Sequence, residues 1–474
     1  MPSKRVKATM LPMNTTRLLV SFVLLAALMS NRPLSAVDLV GYVPYYRLNS
    51  NYLNNVLPGQ LSLLDEVRYF GLSVNGSGAI TSLEGSVSTQ KNNIASIKSI
   101  IDGFPINERP RLNITLGGAG VDSVFSTIAA NASLQTTLAQ NIAALLNETG
   151  ATSVDIDWEH PDAGVERTTT YPALLKRIKQ EVGANKRVYA TVDPSVMINN
   201  NVLTGTNAID GISLMTYDLG WWGNDAGNPY NGEHSLHEYV EDAVDAWTDP
   251  VSANSQRQYV WTNASWGNNV PADKLGVGLP FYGKNIFTNA AYTYAELVNS
   301  GTPTGNGYYS YAGQTVWIPD QTDIEDRVQL AHDEGLQNVF IWELGQDLLS
   351  TDPNSMLRIA ADKLASLTLV PGDFNGDTFV DGTDLAQWQG DYGLNGESDA
   401  DGDGDSDGRD FLIWQQNVSP AGGLVATAGV SVPEPASALL IFCTCSWLAL
   451  TTRPRKLYIA RCEINSYSEG AATC

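Results

Sequence analysis

Eight short runs of apolar residues, some alternating with polar ones, recur along the first three quarters of the chain, and each has the length of a strand. The runs lie near residues 39–43, 67–74, 111–116, 153–159, 188–192, 212–217, 275–282 and 339–343. Segments with apolar residues at helical spacing separate several of them. This alternation predicts an α/β fold in which eight strands close into a (β/α)8 barrel, with an open doubly wound sheet as the alternative.

The clearest helical segment precedes the fourth predicted strand. One face carries apolar residues at positions 134, 138, 142 and 145, between Ser133 as the predicted N-cap and Gly150 as the predicted stop. A strand that follows such a helix is expected to enter a parallel sheet whose outer face is covered by helices. Side chains on its other face then point into the barrel.

The fourth strand reads SVDIDWEHP, residues 153–161, and has an acid at every second position. Period-two geometry sends Asp155, Asp157 and Glu159 to one face and the apolar residues between them to the other. A half-exposed strand with a solvated acidic face would show the same pattern. Inside a barrel, however, carboxylates are costly unless they share protons or take part in chemistry. Glu159 also falls at the carboxyl end of the strand, where barrel enzymes place their active sites.

Composition narrows the possible functions. The chain has 474 residues, 43% of them hydrophobic, which is enough for a large core and more than one domain. Its formal charge of -23 argues against nucleic acid as a partner, because phosphate binding needs clustered Lys and Arg. The four cysteines all lie after residue 442, so the main body has neither disulfides nor thiol chemistry.

The N-terminus has the order of a signal peptide. Basic residues up to Arg17 precede an apolar run at 18–29 and the small-residue sequence PLSA at 33–36. We expect cleavage after Ala36 and export of the protein. A buried apolar helix is the alternative interpretation.

Motifs along the whole predicted barrel resemble glycoside hydrolase family 18, the chitinases and their relatives. TSVDIDWE matches the last three acidic positions of the family pattern D-G-x-D-x-D-x-E. VGYVPYYR, YFGLSV and LNITLGGAG resemble its first three strands, and GISLMTYDLGWW, LGVGLPFYGK and NVFIWELGQDL its last three. The resemblance covers about residues 37–367 and implies a catalytic (β/α)8 barrel that needs no cofactor.

The resemblance also implies a role for each matched residue. Glu159 would donate a proton to the glycosidic oxygen, Asp157 would orient the substrate's acetamido group, and Asp155 would buffer the charge on Asp157. Tyr217 would donate its hydroxyl to the acetamido oxygen, which attacks the anomeric carbon in place of a second carboxylate. Substrate binding is expected from Met215, Asp218, Trp342, Tyr46, Trp221, Trp222 and Trp266. The stacking aromatics among them are equally consistent with ordinary core or surface positions.

The match to the family pattern is incomplete. Thr152 and Ser153 stand where the family usually has Asp and Gly, which we expect to tune activity without abolishing it. The segment 285–320 is short for the extra α+β insertion of deep-groove members. A shallow, open cleft and internal cleavage of the polymer are therefore expected.

Three functions fit these residues. The first is hydrolysis of β-1,4-linked N-acetylglucosamine polymers such as chitin, with retention at the anomeric carbon. An endo-β-N-acetylglucosaminidase acting on glycan cores or peptidoglycan-type sugars would use the same residues. The third is a lectin-like carbohydrate-binding protein with little or no turnover. Intact Asp157, Glu159 and Tyr217 favour the enzymes, whereas Thr152 leans toward the binding protein.

A different acidic pattern begins after residue 369. Residues 372–419 contain twelve acids and one arginine, in two segments whose Asp384 and Asp410 are in register. Oxygen-bearing side chains at this loop spacing predict calcium binding, with a short helix after each loop. The first loop offers Asp373, Asn375, Asp377, Asp381 and Asp384, and the second offers Asp399, Asp401, Asp403, Asp405, Asp407 and Asp410.

The two loops together resemble a type I dockerin, a duplicated calcium-loop-and-helix module. The resemblance implies a small all-α module that binds Ca²⁺ and a cohesin-like partner. Gly404 supplies the glycine expected at the sixth loop position, which the first loop lacks. A solvated acidic linker is the alternative.

The C-terminal region starts with VPEP at 432–435, continues as an apolar run to residue 452 and then becomes basic at Arg453, Arg455 and Lys456. It resembles a PEP-CTERM sorting signal, which implies transient anchoring in the inner membrane and processing by a sorting protease, an exosortase. A simple C-terminal membrane anchor is the alternative. Either reading places the exported protein at the cell surface or outside the cell.

The sequence therefore predicts an organisation of six segments. It comprises a signal peptide at 1–36, the catalytic barrel at 37–367, the calcium module at 371–419, a linker at 420–431, the sorting signal at 432–457 and an unassigned tail at 458–474.

Overall fold

A computed structural model describes residues 37–219, 233–248, 269–368, 370–376, 379–401 and 403–418. The predicted signal peptide, linker and sorting tail lie outside the described residues. The chain divides into two compact units, one ending at Leu369 and the other beginning at Val370. Within the described ranges, no helix is both long and apolar enough to cross a membrane.

The first unit contains all the described strands. They are β1 Asp38–Pro44, β2 Glu66–Val74, β3 Ile80–Ser82, β4 Arg111–Gly117, β5 Ser153–Asp157, β6 Arg187–Val192, β7 Gly211–Leu214, β8 Leu275–Pro280, β9 Tyr282–Asn285, β10 Ala291–Thr293, β11 Thr302–Gly305, β12 Tyr308–Tyr311, β13 Gln314–Trp317 and β14 Asn338–Trp342. Eight of them are parallel neighbours in the order β1-β2-β4-β5-β6-β7-β8-β14. Strand β14 pairs with β1, with Asn338 opposite Asp38, and this pairing closes the barrel. The predicted (β/α)8 barrel is confirmed.

Helices follow the barrel strands and pack on their outer faces. The described α-helices are α1 Leu57–Leu61, α2 Val87–Asp102, α3 Asp122–Ala129, α4 Ala132–Thr149, α5 Tyr171–Val182, α6 His237–Thr248, α7 Tyr294–Ser300, α8 Gln321–Asp333, α9 Met356–Thr368, α10 Gly382–Asp391 and α11 Gly408–Asn417. The main apolar core lies between the strands and helices α1 to α9. A second, smaller apolar cluster lies on the inner side of the barrel.

Helix α4 shows how local sequence sets these boundaries. Its buried face includes Leu138, Ile142 and Leu145, as their spacing predicts. It ends at Gly150, whose φ of 73° is the left-handed conformation that glycine adopts most easily. The predicted N-cap was wrong: the Asn131 side chain accepts from the backbone N–H of Ser133 and Leu134, so Ser133 lies inside the first turn.

The segment after the seventh barrel strand departs from the prediction. Residues 285–320 were expected to be too short for an α+β insertion, yet strands β9 to β13 form a five-stranded antiparallel sheet that carries helix α7. Two-residue turns at Asn306-Gly307 and Ala312-Gly313, all four residues with positive φ, join β11, β12 and β13. Such turns match the twist of paired strands and need few residues, which is why a compact sheet fits in this length.

The described part of the second unit consists of two loop-and-helix segments, ending in α10 and α11. Asp381 and Asp407 cap these helices, and each cap is a reciprocal capping box with the acid three residues later. The indole N–H of Trp388 in α10 donates to the Asp407 carbonyl at 2.9 Å. The indole N–H of Trp414 in α11 donates to the Asp381 carbonyl at 2.8 Å. The two segments therefore hold each other through matching contacts.

Candidate active site

Strand β5 separates acids from apolar residues as its alternation predicts. Val154, Ile156 and Trp158 have no exposed surface and lie in the core between strands and helices. The Trp158 ring stacks on Phe125 of α3, with ring centroids 5.6 Å apart. The side chains of Asp155 and Asp157 face the barrel interior, where they are 0% and 6% exposed. The acidic face is thus buried inside the barrel.

Glu159 lies just beyond this strand. The predicted strand included it, but β5 ends at Asp157, because the chain turns into the loop at the carboxyl end of the barrel. The Glu159 side chain is 21% exposed, and His160 Nδ1 lies 3.8 Å from its Oε2. Burial raises the pKa of Glu159, and this effect outweighs the opposing influence of His160. The carboxyl group can therefore keep a proton at a higher pH than an ordinary glutamate.

Asp155 is held by hydroxyl groups from three other strands. Tyr42 of β1 donates to its Oδ2 at 2.8 Å, and Thr115 of β4 donates to the same oxygen at 3.3 Å. Thr191 of β6 donates to Oδ1 at 2.8 Å. The guanidinium Nη1 of Arg68 lies 3.8 Å from Oδ2. These contacts fix the carboxylate in one orientation.

Asp157 differs from Asp155 in having a free oxygen. Among the described residues, nothing forms a hydrogen bond with its buried Oδ1. Burial raises the pKa of Asp157 well above its usual range, the charges of Glu159 and Asp155 raise it further, and Arg68 opposes them. Asp157 thus combines a raised pKa with a buried oxygen that has no hydrogen-bond donor, and such an oxygen suits a group that accepts an N–H of a ligand.

Glycines at the end of β4 make room for Asp157. The backbone N–H of Gly118 donates to the Asp157 carbonyl at 2.9 Å. Gly117 has a φ of 131°, and a β-carbon there would collide with the Asp157 carbonyl oxygen. The turn in LNITLGGAG therefore requires glycine at this position.

A largely aromatic cluster lines the inner side of the barrel, and its member Tyr42 donates to Asp155. Its buried members are Val40, Tyr42, Tyr217, Tyr282 and Phe340, with Phe70, Met215 and Trp342 packed against them. The half-buried Trp342 ring contacts Phe70 and Tyr42 edge-on or tilted, with centroids 5.1 and 5.4 Å apart. Thus Met215, Tyr217 and Trp342, which the sequence predicted as site residues, lie in one cluster.

Tyr217 is buried and carries its proton. Burial raises the pKa of its phenol well above the usual range, and the charges of Asp157, Asp218 and Glu159 add to this shift. A β-carbon at Gly278 of β8 would lie 2.6 Å from the Tyr217 ring, so the absence of a side chain there admits the ring. Tyr217 can therefore act as a hydrogen-bond donor close to the acids.

Asp218, after β7, is an ionised carboxylate that contacts three polar side chains. It has a φ of 62°, and its Oδ1 accepts from the hydroxyl of Tyr282 at 2.5 Å and lies 2.6 Å from Lys284 Nζ. Burial alone would raise the pKa of Asp218, but His234 and Lys284 hold it well below its usual range. The sequence patterns did not indicate Tyr282, Lys284 and His234 as site residues. The first two are in the motif LGVGLPFYGK, but only the folded chain brings them to Asp218.

The predicted stacking aromatics are only partly described. Tyr46 is 53% exposed, and the Arg47 guanidinium lies 5.6 Å from its ring centroid. The exposed part of Tyr46 is available for contact with a sugar, as expected for a stacking residue. Trp221, Trp222 and Trp266 lie outside the described residues.

The two positions that depart from the family pattern lie away from the reacting groups. Thr152 precedes β5, and its hydroxyl donates to the Leu112 carbonyl at 3.3 Å. The buried Ser153 hydroxyl donates to Glu66 Oε2 at 3.4 Å. Neither replaces Asp155, Asp157 or Glu159.

The predicted calcium ligands form two described clusters in the second loop. Carboxylate oxygens of Asp399, Asp401 and Asp403 lie within 4.8 Å of one another, and so do those of Asp405, Asp407 and Asp410. In the first loop, Asp373, Asn375, Asp381 and Asp384 are described, whereas Asp377 lies outside the described residues. The side chains of Asp384 and Asp410 have no exposed surface. Each accepts backbone N–H groups of its own loop, from Phe374 and Asn375 and from Ala400 and Asp401.

Comparison with known proteins supports these observations. The model of the glycosyl hydrolases family 18 matches residues 39–347. Endochitinase 1 of Metarhizium robertsii is 24% identical over 396 residues, which covers 70% of this chain and 89% of that protein.

Solved structures share the fold. The chitinase ChiB of Flavobacterium johnsoniae superimposes with a TM-score of 0.53 at 20% identity, over 70% of this chain and 95% of that one. A mutant class V chitinase of Nicotiana tobaccum, solved in complex with NAG4, gives a TM-score of 0.54 at 17% identity, over 69% of this chain and 99% of that one.

Proposed function

The chain belongs to family 18 of the glycosyl hydrolases and is a chitinase-like enzyme, and from this premise we propose that it hydrolyses β-1,4-linked N-acetylglucosamine polymers by substrate-assisted, retaining catalysis. The observation that carries the proposal is the row of acids on β5, in which Asp157 has a buried, unpartnered oxygen next to Glu159. This row contacts the aromatic cluster inside a closed barrel through Tyr42, which donates to Asp155.

Glu159 is the general acid in this proposal. Its raised pKa lets the carboxyl keep its proton to a higher pH than an ordinary glutamate, and its partial exposure leaves it open to the glycosidic oxygen. It donates this proton to the leaving sugar. In the second step the resulting carboxylate removes a proton from water, which then attacks the anomeric carbon.

Asp157 binds the acetamido N–H through its free Oδ1, and Tyr217 donates to the acetamido oxygen. That oxygen attacks the anomeric carbon and forms an oxazolinium ion, which carries positive charge. Because burial and the neighbouring acids resist ionisation of Asp157, its negative charge is stabilised most when this cation forms. The interaction is therefore stronger in the transition state than in the substrate complex.

Trp342 supplies an apolar floor under the reacting sugar, with Met215 beside it in the same cluster. Tyr46 offers an exposed ring for a further sugar. Asp218 supplies an ionised acceptor for sugar hydroxyls. Trp221, Trp222 and Trp266 remain proposed stacking residues from the sequence.

A conventional retaining enzyme would need a second carboxylate as the nucleophile. In the described part of the chain, Asp218 is the strongest rival for this role, since it is ionised and its charge raises the pKa of Glu159. Its Oδ1, however, is occupied by Tyr282 and Lys284. A carboxylate with a strongly lowered pKa is a weak nucleophile, which favours the acetamido oxygen.

The site residues agree with one of the two alternative functions better than with the other. An endo-β-N-acetylglucosaminidase would use the same residues and differs only in the glycan it accepts. The lectin-like alternative is not favoured, because Glu159, Asp157 and Tyr217 are present and Thr152 lies outside the row of acids.

The test uses the purified protein and three substrates. We expect a chitin tetramer to be cleaved, and its fully deacetylated counterpart to be left intact because it lacks the acetamido nucleophile. A high-mannose glycan serves as the third substrate. Preferred cleavage of the glycan would support the endo-β-N-acetylglucosaminidase, and ready cleavage of the deacetylated tetramer would contradict substrate assistance.

For residues 371–419 we propose a calcium-binding module of the dockerin type, with Ca²⁺ in each loop. The donor set fits, because clustered carboxylates are the ligands that calcium prefers. Gly404 has a φ of 97°, as a sharp loop turn requires. The residues that would hold the ions are Asp373, Asn375, Asp377, Asp381, Asp384, Asp399, Asp401, Asp403, Asp405, Asp407 and Asp410. A cohesin-like partner is the associated proposal.

We also propose that residues 1–36 direct export and that residues 432–457 direct sorting at the membrane, with removal by a sorting protease. The support is the order of basic, apolar and small residues in the first segment, and of VPEP, an apolar run and basic residues in the second. Deleting residues 432–474 should release active enzyme into the medium. Unchanged fractionation of the deleted protein would contradict the sorting proposal.

A further inference from the structure

Arg68 of β2 lies inside the barrel and has no exposed surface. It is two residues before Phe70 on the same strand, so it lies one layer of side chains deeper than Phe70, and Tyr42 of the aromatic cluster is its register partner on β1. A buried arginine is costly unless its charge is compensated and its donors are used. The residues that Arg68 contacts therefore indicate its role.

The guanidinium joins residues from five other strands. Its Nη1 donates to the Tyr42 hydroxyl of β1 and to the Ser213 hydroxyl of β7, both at 3.0 Å. The guanidinium carbon lies 4.8 Å from the ring centroid of Tyr189 on β6 and 6.0 Å from that of Phe340 on β14. Asp155 of β5 is the fifth partner, 3.8 Å from Nη1.

Tyr42 connects this cation to the acids. It accepts from Arg68 Nη1 and donates to Asp155 Oδ2 at 2.8 Å, and its ring packs against the proposed sugar floor, Trp342. Hydrogen bonds in such a chain polarise and strengthen one another. A shift of the guanidinium would therefore move both the carboxylate beside Asp157 and the surface under the sugar.

The other buried acid next to Arg68 has partners of its own. Glu66 accepts from Arg68 Nε at 3.0 Å, but it also accepts from Arg111 Nε at 3.4 Å and from the Asn113 amide at 3.0 Å. Asp155 accepts from hydroxyl groups as well, but of the described residues Arg68 is the one cationic side chain paired with it. Without Arg68, Glu66 would therefore keep a cationic partner in Arg111, whereas Asp155 would keep none among the described residues.

We propose that Arg68 is a positioning residue for the reaction: it fixes Tyr42 and Asp155 and supplies the buried positive charge that balances the row of acids. This inference rests on the proposed roles of Asp157 and Glu159. The groups that face Arg68 are Tyr42, Glu66, Asp155, Tyr189, Ser213 and Phe340, and those whose charges act on the two reacting acids are Arg68, Asp122, Asp155, His160, Asp193 and Asp218.

The test compares Arg68→Met with Arg68→Lys in the pH profile of kcat/KM on a chitin tetramer. Arg68 lowers the pKa of Asp157, so its removal should move the acidic limb, where Asp157 becomes protonated, to higher pH by about one unit. Lysine keeps the charge and should leave that limb in place. It cannot reach Glu66, Tyr42 and Ser213 together, so kcat should fall by about tenfold.

Arg327→Met is the matched control. Arg327 of α8 is also fully buried, but it donates to the backbone carbonyls of Gly278 and Ser235 and has no contact with the acids. Its variant should lose stability without moving the acidic limb.

Two results would overturn the inference while leaving the proposed function intact. One is an active Arg68→Met variant whose acidic limb coincides with that of the wild type. The other, decisive where Arg68→Met does not fold, is an Arg68→Lys variant with wild-type kcat and only a lowered melting temperature. An inactive wild-type protein on the chitin tetramer would instead overturn the proposed function itself.

Discussion

Two rows of acids in this chain have nearly the same alternating pattern and very different surroundings. On β5, Asp155 and Asp157 alternate with apolar residues, and both are buried. In the second loop of residues 371–419, Asp401, Asp403 and Asp405 alternate with glycines and are exposed. Burial is the main cause that raises the pKa of Asp157, whereas the charge of Asp403 is the main cause that raises the pKa of Asp405.

The difference shows what each row can do. In the barrel, the low-dielectric interior and the neighbouring acids favour protonated carboxyls, which is the property a proton donor needs. In the loop, water accommodates the charges, and the repulsion between them can be relieved by a cation at little cost in desolvation. The residues between the acids, apolar in one case and Gly or Ser in the other, decide which situation arises.

The largest expected effect comes from Glu159→Gln. This change removes proton donation without changing shape, so kcat on a chitin tetramer should fall by at least about a thousandfold while sugar binding persists. The control is Glu148→Gln, at a side chain 57% exposed on α4, which should leave kcat unchanged. Near-normal turnover of the Glu159→Gln variant would contradict the role of Glu159 as the proton donor.

Tyr217→Phe should have the next largest effect. It removes the one hydroxyl proposed to stabilise the acetamido oxygen, so kcat should fall by about a hundredfold. The ring and its packing remain, so the melting temperature should change little. Tyr308→Phe, in the insertion, is the matched control, since that hydroxyl donates to Glu233 at 2.6 Å. Equal activities of the two variants would contradict the role of Tyr217.

Calcium removal should affect only the loop row. With calcium, amide hydrogen exchange in residues 371–418 of the full protein should slow by at least about tenfold relative to chelator, because the ion relieves carboxylate repulsion. Exchange in the barrel should not change. An Asp403→Asn, Asp405→Asn double variant should weaken this response, and Asp391→Asn should preserve it. Identical exchange in calcium and chelator would support the acidic-linker alternative.

The smallest effect concerns the pH profile of the barrel. Activity should decline as pH rises through the raised pKa of Glu159, because the proton donor is lost. The charge of Asp122 contributes to that raised pKa. Asp122→Asn should therefore lower the pKa and move the basic limb of kcat/KM to lower pH by about 0.3 unit. Asp102→Asn, at an exposed acid paired with Lys98, should not move it.

Much of the barrel could be predicted from sequence because each strand carries its own pattern. The alternation on β5 places Asp155 and Asp157 inside without any knowledge of their neighbours. The end of that strand could not be predicted, since the turn at Glu159 depends on packing at the barrel rim. The insertion was misjudged by length alone, although Asn306-Gly307 is a strong signal for a hairpin.

The supporting residues of the site could not be predicted in the same way. Arg68 appears in EVRYF as one polar position in a strand, and only barrel closure brings it to Asp155 and Tyr42. His234 and Lys284 both contact Asp218 but are distant from it in sequence. Residues 220–232 separate Asp218 from His234, and residues 249–268 lie between His234 and Lys284. Trp388 and Trp414 each contact the opposite repeat. The sequence indicated these contacts, because the two tryptophans are in register, as Asp384 and Asp410 are.

The anomeric form of the first product tests the central claim most directly. Substrate assistance inverts the anomeric carbon twice, so proton NMR recorded immediately after adding enzyme to a chitin tetramer should show the β anomer first, before mutarotation. The fully deacetylated tetramer should give no product in the same tube. An initial α anomer would contradict the account, because it would require direct attack by water and a carboxylate base in place of the acetamido group.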